Sequence, residues 1–143
     1  GTRCHQLATY IVFDSPLVML CDAPTAYRKE PECTRFIAGL PVVADETRIL
    51  QGKMGEYIVT ARRVGEDWIV GGLTDWEART VDLDLSFLPE GMFRAEIFCD
   101  GINADKKGED YRHEYRDVKR EDRLKMQLAP GGGFAIRLKK NHN

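Results

Sequence analysis

Three histidines, four cysteines and a scatter of carboxylates are the reactive side chains of this 143-residue sequence, and their spacing decides what chemistry is open to them. His5 lies in an apolar opening segment, His113 in the charged run "DYRHEYRDVKREDR" and His142 in the terminal tail. Contexts so dispersed nominate no nucleophile, base and orienting acid together. Cys4, Cys21, Cys33 and Cys99 lack the close pairs that zinc sites use, so buried free thiols are expected. "CDGINADKKGED" (residues 99–110) offers Asp100, Asn103, Asp105, Glu109 and Asp110 as oxygen donors, yet their spacing is not that of a calcium loop and a long solvated loop is expected. "APGGGFAIRL" (129–138) has the glycines of a phosphate loop without the Lys-Ser/Thr that follows one, and reads as a turn into a strand. Asp82 and Asp84, two apart, belong on a strand's solvated face. No catalytic, cofactor-binding or metal-ligating residue is nominated.

Trp76 is the side chain with the most to offer a ligand. In "GGLTDWEARTVDL" it follows Thr74 and Asp75, a turn signal that sets its ring at a sheet end. A ring there can close the end of the sheet, pack on a neighbouring domain, or stack on a sugar as part of a carbohydrate-binding surface with Tyr57 or Trp68. Partners of other kinds are disfavoured. A net charge of -2 gives no field for nucleic acid, and the apolar run from Tyr10 to Cys21 is broken by Asp14, Ser15 and Pro16, too short to cross a bilayer of about 30 Å.

The elements that would carry these residues change character near Leu40 and Pro41. Upstream the punctuation is helical. Thr2 can cap a first helix over residues 2–21, Ser15 with Pro16 can start a second, and Pro31 can open a third that buries Cys33, Phe36, Ile37 and Leu40 and stops at Gly39. The first is apolar on more than one side, which marks Leu7, Tyr10, Ile11, Phe13 and Leu17 as an interface presented to another molecule, with self-association as one outcome. Downstream the period becomes 2. Val81, Leu83, Leu85 and Phe87 alternate with polar residues, and the period of two recurs in Phe93, Ala95, Ile97 and Cys99, in Leu124, Met126 and Leu128, and in Phe134, Ile136 and Leu138. Tyr57, Val59 and Ala61 form a hairpin with Trp68 and Val70 across a turn at Gly65, and residues 109–125 read as solvated strand faces. An antiparallel β-sandwich of seven to eight strands over residues 41–143 follows, preceded by the helical segment 1–40. With 43% hydrophobic and 31% charged residues, the composition is that of a globular domain.

The phrases "GTRCHQLATYIVFDSPLVMLCDAP", "YRKEPECTRFIAGLP", "DETRILQGKMGEYIVTARRVGEDWIVGGLTDWEARTVDLDLSFL", "AEIFCDGINADKKGEDY" and "LAPGGGFAIRL", in this order, resemble the C-terminal end of glycoside hydrolase family 97. Ala44 departs from the pattern, which has an aromatic before Asp45, Glu46 and Thr47. The resemblance implies a bacterial α-glucosidase or α-galactosidase, periplasmic or secreted, built from an N-terminal β domain, a (β/α)8 barrel and a C-terminal sandwich. Residues 1 to about 40 would be the barrel's last helical segment. Glycoside hydrolysis needs two carboxyl groups set across the sugar. The resemblance places these, and the glutamates that hold calcium, upstream of Gly1. It leaves this chain a non-catalytic structural and oligomerisation role, with the rest of the hydrolase as its partner.

Overall fold

Strict alternation sorts the β residues onto two faces, and the outer face proves as important as the inner one. The computed structural model describes residues 1–13, 31–41 and 43–142. Among the described residues, helices α1 (Arg3–Val12) and α2 (Pro31–Ala38) precede β1 (Glu46–Lys53), β2 (Tyr57–Val64), β3 (Asp67–Thr74), β4 (Arg79–Asp84), β5 (Phe93–Asp100), β6 (Tyr111–Val118), β7 (Arg123–Leu128) and β8 (Gly133–Lys140). Six strands form an antiparallel sheet in the order β1-β2-β3-β8-β5-β6, and β4 pairs with β7 in a second, two-stranded sheet. The domain is therefore mainly β and a sandwich, with unequal layers.

The inner core is set by register. Ile97 pairs with Ile136, which pairs with Val70, so three β-branched side chains line up across the sheet and meet Val81, Leu83, Leu124, Met126 and Leu128 of the smaller one. Trp68 is buried here against Phe87, with ring centroids 5.0 Å apart. The alternation expected through Leu85 and Phe87 ends early, because the Asp84 carboxylate accepts the Ser86 amide at 2.9 Å and starts a 3-10 turn over Leu85–Phe87. That turn buries Leu85 and Leu88, three apart, on one side.

Helix α1 begins as expected, with the Thr2 hydroxyl accepting the His5 amide at 3.0 Å. Phe13 caps its C-terminus; the remainder of the expected span, the Ser15-Pro16 start, Leu17 and Cys21 lie outside the described residues. In α2 the face of Cys33, Phe36 and Ile37 is buried, with Leu40 just beyond it. Among the described residues no helix is long and apolar enough to cross a membrane.

Candidate functional site

Both helices lie on the outer face of the six-stranded sheet, and the sheet's own sequence prepares the seat. Cβ atoms added at Gly71 of β3 and Gly133 of β8 would each come within 2.9 Å of α1, at Ile11 Cβ and His5 Cα respectively. The missing side chains let the helix backbone approach the strands directly. The adjacent Gly72 serves the other face, where the Phe134 ring occupies the space its Cβ would take. Two arginines then receive the helix ends. Arg62 of β2 donates from Nε to the Ile11 carbonyl at 2.6 Å and from Nη2 to the Val12 carbonyl at 3.0 Å. Arg137 of β8 donates to the Phe36 carbonyl at 3.0 Å, its guanidinium 5.1 Å from the centre of the Phe36 ring. A cation at a helix C-terminus satisfies orphan carbonyls and opposes the negative end of the dipole. Gly39 belongs to the same device, since a Cβ there would lie 2.6 Å from the Arg137 guanidinium.

At the far edge of the sheet, β5 and β6 place Glu96, Phe98, His113 and Tyr115 on this outer face. His113 stacks on Phe98 with centroids 4.2 Å apart, and Phe98 meets Phe36 of α2 edge-on at 5.0 Å. The His113 imidazole reaches Glu32 of α2 through Nδ1 at 2.9 Å and Glu96 through Nε2 at 2.8 Å. The Tyr111 hydroxyl also donates to Glu32, and that of Tyr115 donates to Glu96 at 3.1 Å.

The Tyr111 hydrogen bond holds the Glu32 carboxyl below its ordinary value of 4.5; burial opposes this, and His113 and Arg35 add to the lowering. A carboxyl with a lowered folded-state pKa contributes stability that is present above the unfolded value and lost as pH falls through the folded one. Glu32→Gln is therefore expected to flatten the fall in urea midpoint below about pH 4.5, and chemical denaturation across pH 3 to 7 in both proteins is the check.

The residues marked by the sequence are distributed differently from expectation. Leu7, Tyr10 and Ile11 are buried inside the chain rather than presented outward, because the glycine seat and the α2 face of Phe36 and Ile37 cover them. Phe13 remains 63% exposed. With Val12, Ile49, Met54, Ile58 and Leu73 it lines an apolar groove of about 590 Å³ beside the edge strand β1, in which Met54 is fully exposed. Trp76 is 79% exposed, its ring over Gly131, whose φ of +64° and absent Cβ leave room for it. Trp68 cannot join Trp76 in a sugar-stacking surface, since it is a core residue. Tyr57 is half-buried under the Arg79 guanidinium, 4.8 Å from its ring centre.

The acidic loop is used internally. Asp100 is buried and accepts the amides of Ala129 at 2.9 Å and Gly133 at 3.0 Å, while Asp110 accepts that of Asn103 at 2.8 Å. The Asp100 carboxylate thus holds the glycine-rich turn that leads into β8. Burial pushes its carboxyl up, against the hydrogen bonds of Thr2, Ala129 and Gly133. Among the described residues no three His, Cys, Asp or Glu side chains are grouped to hold a metal. Cys4, Cys33 and Cys99 are buried, and burial raises the Cys4 and Cys99 thiols so that they stay protonated.

The family model described as "Glycosyl-hydrolase 97 C-terminal, oligomerisation" matches residues 43–139. The chain belongs to glycoside hydrolase family 97. It is 56% identical over 139 residues to a retaining α-galactosidase of Bacteroides thetaiotaomicron, which covers 97% of this chain and 21% of that protein. It is 30% identical over 130 residues to a probable retaining α-galactosidase of Streptomyces bingchenggensis, covering 91% and 19%. A family 97 enzyme from a Pseudoalteromonas species, solved with acarbose, superposes with a TM-score of 0.79 at 36% identity, over 83% of this chain and 20% of that one. The chain thus spans about a fifth of the length of the curated relatives it matches. Within family 97 residues 43–139 are the non-catalytic C-terminal domain.

Proposed function

We propose that this domain serves a retaining α-galactosidase, bracing the catalytic barrel and joining copies of the enzyme. The observation that carries the substrate class is the 56% identity to the Bacteroides thetaiotaomicron enzyme across nearly the whole chain. Such an enzyme is bacterial and would act in the periplasm or outside the cell. The calcium that the family resemblance assigns to the enzyme would be held by glutamates upstream of Gly1.

The groove of Phe13, Ile49 and Met54 fits the joining role. It is apolar, open, and runs beside β1, whose outer backbone groups have no strand neighbour among the described residues. A second copy laid along it would cover both the side chains and the edge. Sedimentation of wild type, Phe13→Lys and Ile49→Lys is the test, run on this domain joined to a family 97 barrel. The joined protein is expected to hydrolyse an aryl α-galactoside and to associate, and each lysine variant to shift association to concentrations at least about tenfold higher, a loss of about 1.4 kcal/mol. Association unchanged in both variants would exclude the groove, and hydrolysis by the 143-residue chain alone would refute the non-catalytic assignment.

A further inference from the structure

The polypeptide enters α1 at one end of the sandwich, where three connections meet. The Thr2 amide donates to the Gly131 carbonyl at 3.0 Å and the Arg3 amide to the Gly108 carbonyl at 2.8 Å. The Gly131 amide in turn donates to the Asp75 carbonyl at 2.6 Å. Gly1 is therefore pinned among the 129–132 turn, the 100–110 loop and the turn that carries Trp76.

This end carries two large apolar side chains in water, Trp76 and Ile102, the latter 94% exposed. A hollow of about 480 Å³ runs from Ile102, Asp105 and Arg112 to Ala78 and Pro130, next to the Gly131 seat of the Trp76 ring. The ring's position is fixed from below. A Cβ at Gly131 would lie 3.0 Å from the Trp76 six-membered ring and 3.6 Å from Gly1 Cα, so the ring and the chain entry share one support. The mixture of two apolar anchors with Asp105, Arg112 and Gln127 has the polarity of a contact between domains of one chain.

We propose that this end, with Trp76 and Ile102 as its anchors, is the seat of the catalytic module that precedes Gly1, and that the module covers the Trp76 ring. The proposal rests on the reading of the chain as the C-terminal part of a longer hydrolase. In a family whose C-terminal domain this is, the other four fifths or so of the polypeptide approaches through Gly1. A module tethered there meets Trp76 at a local concentration on the order of millimolar, which an untethered second copy reaches only in concentrated solution. Tethering thus favours the catalytic module over a copy, and a small interface suffices.

Oxidative footprinting read by mass spectrometry tests it residue by residue, with the buried Trp68 as internal reference. Trp76 is expected to be modified rapidly in the 143-residue chain. In a polypeptide joining the chain to a family 97 barrel, without sugar and at concentrations where light scattering shows single copies, its rate should fall toward that of Trp68. Rapid modification in the joined protein overturns the seat. So does protection that appears only with association, which assigns the ring to a second copy, or only with an added α-galactoside, which assigns it to sugar stacking. Hydrolysis of an aryl α-galactoside by a joined protein whose Trp76 stays reactive would remove the seat and leave the α-galactosidase reading intact, whereas an inactive joined protein with a protected ring would do the reverse.

Discussion

Replacing Gly71 with valine is expected to lift α1 off the sheet while leaving the strand itself intact. Valine favours extended backbone, and Gly71 is not among the positive-φ glycines, so the strand conformation gives no reason for a loss. The cost comes from space. A Cβ alone would sit 2.9 Å from Ile11 Cβ and 3.1 Å from the Ala8 carbonyl oxygen, and valine adds two methyl groups to that overlap. Forcing them into a packed core costs about 1 to 3 kcal/mol. Relief by moving the helix would uncover Leu7 and Ile11, at roughly 1.5 to 3 kcal/mol for each large apolar side chain. Hydrogen exchange should therefore show early loss of protection in the α1 amides with β2, β3 and β8 still protected. Equal loss in α1 and β8 would mean that helix and sheet unfold as one unit.

Phe98→Ala should be the most damaging single truncation on the outer face. The ring is fully buried and touches Phe36 edge-on, Tyr111 at a centroid distance of 6.0 Å and the stacked His113. Truncating a buried phenylalanine costs about 3 to 5 kcal/mol. Here the cavity would also remove the apolar floor on which His113 stands between Glu32 and Glu96. The Glu32-dependent acid limb should shrink along with overall stability. Phe98→Leu, which keeps most of the volume, should recover the greater part of both. Denaturation midpoints at pH 7 and pH 4 for the two variants separate the packing loss from the loss of the hydrogen bonds to Glu32.

The inner core was legible because it obeys a period. Phe93, Ala95, Ile97 and Cys99 recur at every second position, and every one of them faces inward, while Phe98 between them faces the helices. The strand β1 escaped because "ETRILQGK" is an edge strand with an irregular register between Ile49 and Gln51, which breaks the alternation. The outer face was harder for a different reason. His113 sits in a run of charges that resembles a solvated edge, and its partners Glu32 and Glu96 are 81 and 17 positions away. No local pattern could bring those three together. A local signal did exist for the helix seat: the glycine pair of "IVGGLT" inside an apolar strand marks a close backbone approach. Trp76 was placed by its turn at the end of the sheet, and its exposure followed from the fold rather than from its sequence neighbours.

The arginines at the helix ends bear on how this domain can be moved between proteins. Arg62 bonds to a carbonyl 51 positions before it and Arg137 to one 101 positions before it. The transferable unit is therefore set by these long-range ties and not by the change of period near Leu40. A graft that began at Pro41 would carry both guanidinium groups without the carbonyls of Ile11, Val12 and Phe36, and would leave Ile69, Phe98 and Ala135 facing water. Such a surface invites aggregation. A recipient scaffold would have to supply two helix C-termini at the spacing of β2 and β8, so the helices travel with the sandwich.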